Sequence, residues 1–298
     1  MNLVGEIAAL ATSFFFAVTA IIFTFTGRMV GSRVTNRTRL VFALIYLLVL
    51  NAFLFREPLP FSAHSSRWIW LSVSGIIGLS LGDSFLFQAL ISLGTRLGTL
   101  LLSLAPIFGS IIAWVFFGET LTITQITGII LALTGIAWVV MSHEEPADTP
   151  HGHTRRGVIF GVLAGLGQAV GLVLSKQGMT GDFSPLQANA IRMFAAVTFI
   201  WIWTFIEGKA QTTYTALRNK PQVIRWLALG ALIGPVLGVS SSLLAVQHAE
   251  IGVASTLMAL PPVIVLPFSY FVLQEKFGWQ AVAGTVLAIA GVAVLFLA

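Results

Sequence analysis

The sequence predicts an all-α integral membrane protein, ten transmembrane helices arranged as two inverted five-helix repeats. Three observations carry that expectation. Of 298 residues, 57% are apolar and 9% are charged, against roughly one-quarter charged in a soluble domain, and the mean hydropathy is +0.93. The apolar residues gather in blocks that match the about 20 helical residues needed to cross a hydrocarbon core. The second half of the chain also repeats the first.

Helix candidates, bounded by glycine, proline and charge, fall at 3–27, 38–55, 68–92, 96–117, 121–142, 157–177, 184–206, 226–248, 251–274 and 277–297. The N-terminus has no basic region ahead of its apolar run and no small-residue cleavage site, so the first helix is expected to stay. The second and seventh candidates are the weakest, because Arg39 and Arg192 lie in or beside them. The short reach 93–97 requires a tight turn.

A shift of 156 residues places Leu71 on Leu227, Gly78 on Gly234, Gly82 on Gly238 and Ala89 on Ala245. The same shift brings Leu101 to Leu257, Pro106 to Pro262, Glu119 to Glu275, Gly128 to Gly284 and Gly135 to Gly291. Nearer the start the shift is 152, pairing Gly5 with Gly157, Ala17 with Ala169 and Ser32 with Ser184. Five helices per repeat is an odd number, which forces the halves into opposite orientations. The expected organisation is a first repeat over 1–142, a polar linker over 143–156 and a second repeat over 157–298. In the linker His143, Glu144, Asp148, His151 and His153 are of metal-ligating type, but two prolines and a glycine give them no fixed geometry, so it reads as solvated.

The net charge is +5 and the pI about 10.1. The cations sit between apolar blocks rather than in one stripe, so they read as topology signals, not as a nucleic-acid surface. With the N-terminus outside, the inner side carries Arg28, Arg33, Arg37, Arg39, Arg96, Arg155, Arg156, Lys209, Arg218, Lys220, Arg225 and Lys276. The outer side carries Arg56, Arg67 and Lys176, so both termini are expected outside.

Gly118-Glu119-Thr120-Leu121 followed by Gly128-Ile129-Ile130-Leu131-Ala132-Leu133-Thr134-Gly135 recurs as Gln274-Glu275-Lys276 followed by Gly284-Thr285-Val286-Leu287-Ala288-Ile289-Ala290-Gly291. With Arg39 and Arg192 opening the second helix of each half and Lys176 ending the sixth, this order resembles the drug/metabolite transporter superfamily, EamA-type, over essentially the whole chain. The resemblance implies a central cavity surrounded by the first four helices of each half, with the fifth and tenth at the periphery. It further implies a multi-pass transporter of a small organic metabolite or drug-like solute, with export favoured; abundant Phe14, Phe15, Phe16, Phe85 and Phe87 would suit an amphipathic or aromatic solute such as an amino acid, or simply face lipid. The charge bias departs from members whose termini lie inside, and the short tails and linker suggest a prokaryotic cytoplasmic membrane.

Ser80, Asp83, Ser84, Phe87 and Gln88 are spaced to share one helix face. A carboxylate at mid-helix costs at least about 2.5 kcal/mol on insertion scales, so Asp83 is expected to face a watery cavity or a cation. Its readings are proton coupling, contact with a cationic solute, and a buried helix-helix hydrogen bond or ion pair, for which Arg192 is a candidate partner. The equivalent positions 156 residues on are Val236, Val239, Ser240, Leu243 and Leu244. The second half would then contribute Ser240, Ser241 and Ser242 beside the site, or use them as small packing residues. Gln168 can reach a cavity or a neighbouring helix, and Lys176 can meet solute at the cavity mouth or snorkel. Arg192 either pairs with a carboxylate or sits on a helix C-terminus. Pro106 and Pro262 predict matched kinks that shape, or gate, the fourth and ninth helices.

The chain has no cysteine, which excludes disulfides, thiolate metal sites and a cysteine nucleophile. No cofactor is expected. Gly78-Leu79-Ser80-Leu81-Gly82 matches a nucleophile-elbow pattern without its strand-turn-helix setting, and no phosphate-binding loop is present. His248 beside Glu250 reads as interfacial rather than as a base. The expected partners are a small-molecule substrate and the bilayer, with a second copy of the chain as a candidate. A non-transporting receptor and an intramembrane enzyme are the rival readings.

Overall fold

The structure is a computed structural model that describes residues 3–117, 122–141, 153–181, 183–248, 257–271 and 278–297. The described residues hold helices and turns and no strand. In order they form α1 (Leu3–Val30), α2 (Ser32–Phe55), α3 (Ser65–Ser74), a π-helical segment π1 (Gly75–Gly82), α4 (Asp83–Leu102), α5 (Leu104–Phe117) and α6 (Ile123–Met141). The second half runs α7 (His153–Gly178), α8 (Pro185–Ile206), α9 (Ala210–Asn219), α10 (Pro221–Ala231), a second π-helical segment π2 (Leu232–Gly238), α11 (Val239–His248), α12 (Pro261–Phe271) and α13 (Trp279–Leu297). Seven helices among the described residues are long and apolar enough to cross a membrane.

Chain reversals sit where glycine permits them. Gly31 separates α1 from α2 at φ 89°, and Gly94 turns α4 at φ 83°, a region a β-carbon disfavours. Across the Gly94 turn, a β-carbon on Gly98 would lie 3.2 Å from Leu90 Cα. In a straight helix residues eight apart are about 12 Å from each other, so the chain folds back there, as the reach 93–97 requires. Ser103 breaks the helix three residues before Pro106, and Ala259 and Leu260 interrupt it again three and two residues before Pro262. Each proline lacks an N–H and crowds the carbonyl four residues earlier, so the matched kinks follow from the matched prolines.

The two halves interlock. π1 packs on α7, and π2 on α1. A β-carbon on Gly171 would meet Gly78 Cα at 3.0 Å, and one on Gly167 would meet Gly82 Cα at 2.9 Å. On the other side Gly234 fits against Thr19 and Gly238 against Phe16. α2 and α8 pack around Leu40, Leu47, Ile191 and Met193. α6 and α13 zip together through Gly128, Gly135, Gly284 and Gly291, with outward residues such as Ile130 and Val286 left for lipid.

Some details differ from the sequence reading. The third and eighth helices are not continuous α-helices: each widens into a π segment at the same repeat position, 75–82 and 232–238. Glycines at 75, 78 and 82 offer no side chain to hold the tighter turn, and Pro235 removes a donor from the second segment. α2 begins at Ser32 and α10 at Pro221, each earlier than expected, and the short amphipathic α9 precedes α10. α7 begins at His153, so the last four residues of segment 143–156 are helical. Residues 143–152, Glu119, Glu275 and Glu250 lie outside the described residues.

Candidate functional site

Asp83 is the first residue after π1 and is buried. Its Oδ2 accepts from Arg39 Nη2, and its Oδ1 accepts from Gln168 Nε2 at 2.7 Å. Both side chains of the ion pair are almost sealed, 4% exposed for Arg39 and 7% for Asp83. Arg39 donates Nε–H to Asn36 Oδ1 at 3.0 Å and leans over Phe87, whose ring centre lies 4.7 Å from the guanidinium carbon, and Phe23, at 5.5 Å. The pair is therefore hydrogen-bonded on several sides and stacked on aromatic faces, which a charge in low dielectric needs in order to persist.

Asn36 reveals how π1 enters the site. Its Nδ2 donates to the Ser80 carbonyl at 3.0 Å and to Ser84 Oγ at 2.8 Å. A π turn redirects backbone carbonyls from their i+4 partners, and an asparagine one helix away takes one of them. The second half repeats the device: Asn189 Nδ2 donates to the Pro235 carbonyl at 2.8 Å and to Ser240 Oγ at 3.0 Å. Asn36-x-x-Arg39 and Asn189-x-x-Arg192 are the same motif 153 residues apart. That repetition was the signal by which sequence could have found both asparagines.

The duplication stops at the carboxylate, because Val239 stands where the shift of 156 brings Asp83. Of the readings the sequence allows for Asp83, a buried ion pair forms, but its partner is Arg39 and not the candidate Arg192. The Arg192 backbone is packed against Gly75, and its Nη2 lies 3.5 Å from where a Gly78 β-carbon would stand. From there it acts on Asp83 through space only. Arg192 is buried and its Nε has no partner.

A cavity of about 710 Å³ lies between the halves. Asp83, Arg39, Phe87, Gln168, Lys176, Pro106 and Ser242 line it. Lys176, Gln177 and Thr180 at one end are exposed, whereas Phe23, Leu90 and Thr99 toward the other are buried. Beyond that buried end Thr95 Oγ1 donates to Thr24 Oγ1 at 2.9 Å and Ser32 Oγ to Gln88 Oε1 at 2.8 Å, above a cluster of Ile22, Phe23, Leu90, Val223 and Leu227. The cavity is thus open at one end and closed at the other, with the ion pair between.

Of the residues singled out from sequence, Ser80, Ser84, Gln88, Arg192, Ser240 and Ser241 are not part of the cavity wall. Ser84 and Ser240 hold the asparagine clamps, Gln88 holds α2 to α4, and Ser80 lends its carbonyl. Pro261, rather than Pro262, lines the cavity.

The profile of the EamA-like transporter family matches the chain twice, over residues 3–141 and 155–297. The chain belongs to the EamA-like transporter family. Members are drug/metabolite-type transporters of small solutes, and this one is a multi-pass membrane protein built from two family repeats. No curated protein sequence matches it. A solved structure described as "Crystal structure of protein" is similar with a TM-score of 0.64 at 16% identity, covering 100% of this chain and 98% of that one. At that identity the likeness is one of fold.

Proposed function

We propose that the chain is a secondary transporter that works by alternating access through the central cavity, moving a small organic metabolite or drug-like solute. The observation that carries the reading is a cavity whose described lining is exposed at one end and buried at the other, with the Arg39–Asp83–Gln168 cluster in its wall and two packed repeats around it. Two interlocked repeats that exchange conformations would close the open end and open the closed one.

In this reading the ten crossings are 3–30, 32–55, 65–93, 95–117, 123–141, 153–178, 185–206, 221–248, 257–271 and 279–297, the reversal at Gly94 dividing the long 65–102 segment. The repeats then span 1–142 and 157–298. Both termini face out, since Arg33, Arg37 and Glu207 gather at one end with Lys220, which donates to the Met29 carbonyl at 2.7 Å. The cavity opens at the opposite, outer end. Export in a cell membrane is the direction the family resemblance favours.

Asp83 is the residue on which coupling turns. A proton or an ammonium group that neutralised it would release Arg39 and weaken the cluster that joins α2, α4 and α7. Counterflow in proteoliposomes loaded with a mixed metabolite panel tests the proposal. Exchange of a panel member by the wild type, lost or made pH-insensitive in a folded Asp83→Asn variant, is the expected result. Binding without exchange would move the chain to the receptor reading, and covalent change of the solute to the enzyme reading.

A further inference from the structure

Among the described residues three charged side chains line the cavity: Arg39, Asp83 and Lys176. Arg39 and Asp83 neutralise each other. The second carboxylate oxygen is taken by Gln168 at 2.7 Å, so the resting cavity offers no free carboxylate to a cation. Among the described residues Lys176 has no ion-pair or hydrogen-bond partner, and it is exposed at the open end beside Gln177 and Thr180. Gln168 and Lys176 are eight residues apart on α7, about 12 Å along its axis, so Lys176 stands clear of the ion pair rather than joining it.

A second observation points the same way. Arg192 lies behind the wall formed by π1, buried, with its Nε unpartnered and with Val239 where a matching carboxylate would be. Asp83 is already paired with Arg39, so the three groups Arg39, Asp83 and Arg192 carry one net positive charge, which raises the potential of the space beside them because low dielectric screens it weakly. Among the described residues the chamber is therefore positive at its mouth and positive behind its wall, and most of the remaining lining is apolar, Phe16, Phe23, Leu86, Leu172 and Val173 included, with uncharged Thr19, Thr99, Ser103, Ser110, Gln125 and Ser242 between.

We infer that the transported solute is a carboxylate-bearing organic monoanion with an apolar body, whose carboxylate is received by the Lys176 ammonium at the cavity mouth with Gln177 and Thr180 as flanking donors. This rests on the transporter reading and names the substrate class of that same cavity. A cationic solute meets the net positive charge of the chamber, and a neutral one gains less from the Lys176 ammonium than a carboxylate does. Lys176 is a specificity-determining residue, and its effect falls on KM and on the ranking of solutes.

The test is counterflow by the full chain in proteoliposomes with matched skeletons that differ only in the head group. The probes are 3-phenylpropionate, 3-phenylpropionamide and 3-phenylpropylamine, together with the acid, amide and amine of hexane and indole-3-propane. The expected result is exchange of carboxylates at least tenfold faster than amides or amines. Lys176→Gln should raise the carboxylate KM at least tenfold and erase the ranking, with Lys176→Arg restoring it. Amides or amines exchanged as well as carboxylates, or a ranking unchanged in Lys176→Gln, would overturn the assignment and leave the transporter reading standing. No exchange of any probe by folded protein that still exchanges a member of the mixed metabolite panel would overturn the assignment alone, and no exchange of the panel either would overturn both.

Discussion

Breaking the buried pair should cost far more than exchanging it. Removing one partner of a buried, hydrogen-bonded ion pair leaves an uncompensated charge, at a cost of about 3–5 kcal/mol. In Asp83→Leu the guanidinium would keep its bond to Asn36 at 3.0 Å and its faces on Phe87 and Phe23, contacts worth about 1–2 kcal/mol. That places the single variant toward the lower end, about 3 kcal/mol, and Arg39→Met, which strands Asp83, at the upper end. The double variant Arg39→Met/Asp83→Leu removes both charges and leaves Gln168 and Asn36 short of one partner each, a loss of about 1–2 kcal/mol. Unfolding in mixed micelles with rising denaturing detergent, on wild type, both singles and the double, measures the cycle. The double variant should lie well above the sum of the singles in stability. Additive losses, or singles no worse than a lipid-facing control such as Ile130→Ala, would refute a coupled buried pair.

Three further outcomes follow from other parts of the molecule. A β-carbon on Gly135 would fall on the backbone nitrogen of Ala288, and one on Gly284 would lie 2.5 Å from Val139 Cγ2. Gly135→Val should therefore separate α6 from α13 and cost about 1–3 kcal/mol in the same unfolding measurement, while Gly109→Val, which meets nothing within 4 Å, should cost less. The Glu207 carboxyl is held below its usual 4.5, first by the Trp203 indole N–H at 2.8 Å and then by Arg33 and Arg37. A lowered folded value means that its stabilisation is complete above the unfolded pKa and is lost as pH falls through the folded one; Tm against acid pH should thus fall more for wild type than for Glu207→Gln. Because the chain has no cysteine, single substitutions report topology cleanly. Ser62→Cys in whole cells should react with a membrane-impermeant maleimide, and Thr212→Cys should react only after lysis; the reverse pattern would invert the orientation.

Most of the helical plan was legible because it rests on strong, local physics. Apolar blocks, the reversal at Gly94 and the breaks before Pro106 and Pro262 each follow from one residue type doing what its backbone allows. Asp83 was legible as a costly intramembrane carboxylate, and Gln168 as a polar residue among glycines. Its true partner was not. Whether Asp83 meets Arg39 or Arg192 depends on how far the helix has rotated by residue 83, and the widened turn at 75–82 changes that rotation. Nothing in hydropathy marks a π segment, since glycine, leucine and isoleucine suit an α-helix in lipid equally well. The asparagines were hidden for a related reason: Asn36 and Asn189 matter only because a carbonyl on another helix has been set free. Read together with the arginine three residues on, their duplication was visible all along.

Passage of solute through this cavity is open to a direct chemical test. Ser110 lines it and Thr127 faces outward from α6. In proteoliposomes of the exchanging protein, a bulky water-soluble methanethiosulfonate should block counterflow in Ser110→Cys, with saturating solute slowing the block, and should leave Thr127→Cys untouched. Full exchange in a Ser110→Cys protein shown to be modified, or equal block at both positions, would contradict a transport path through the cavity between the repeats.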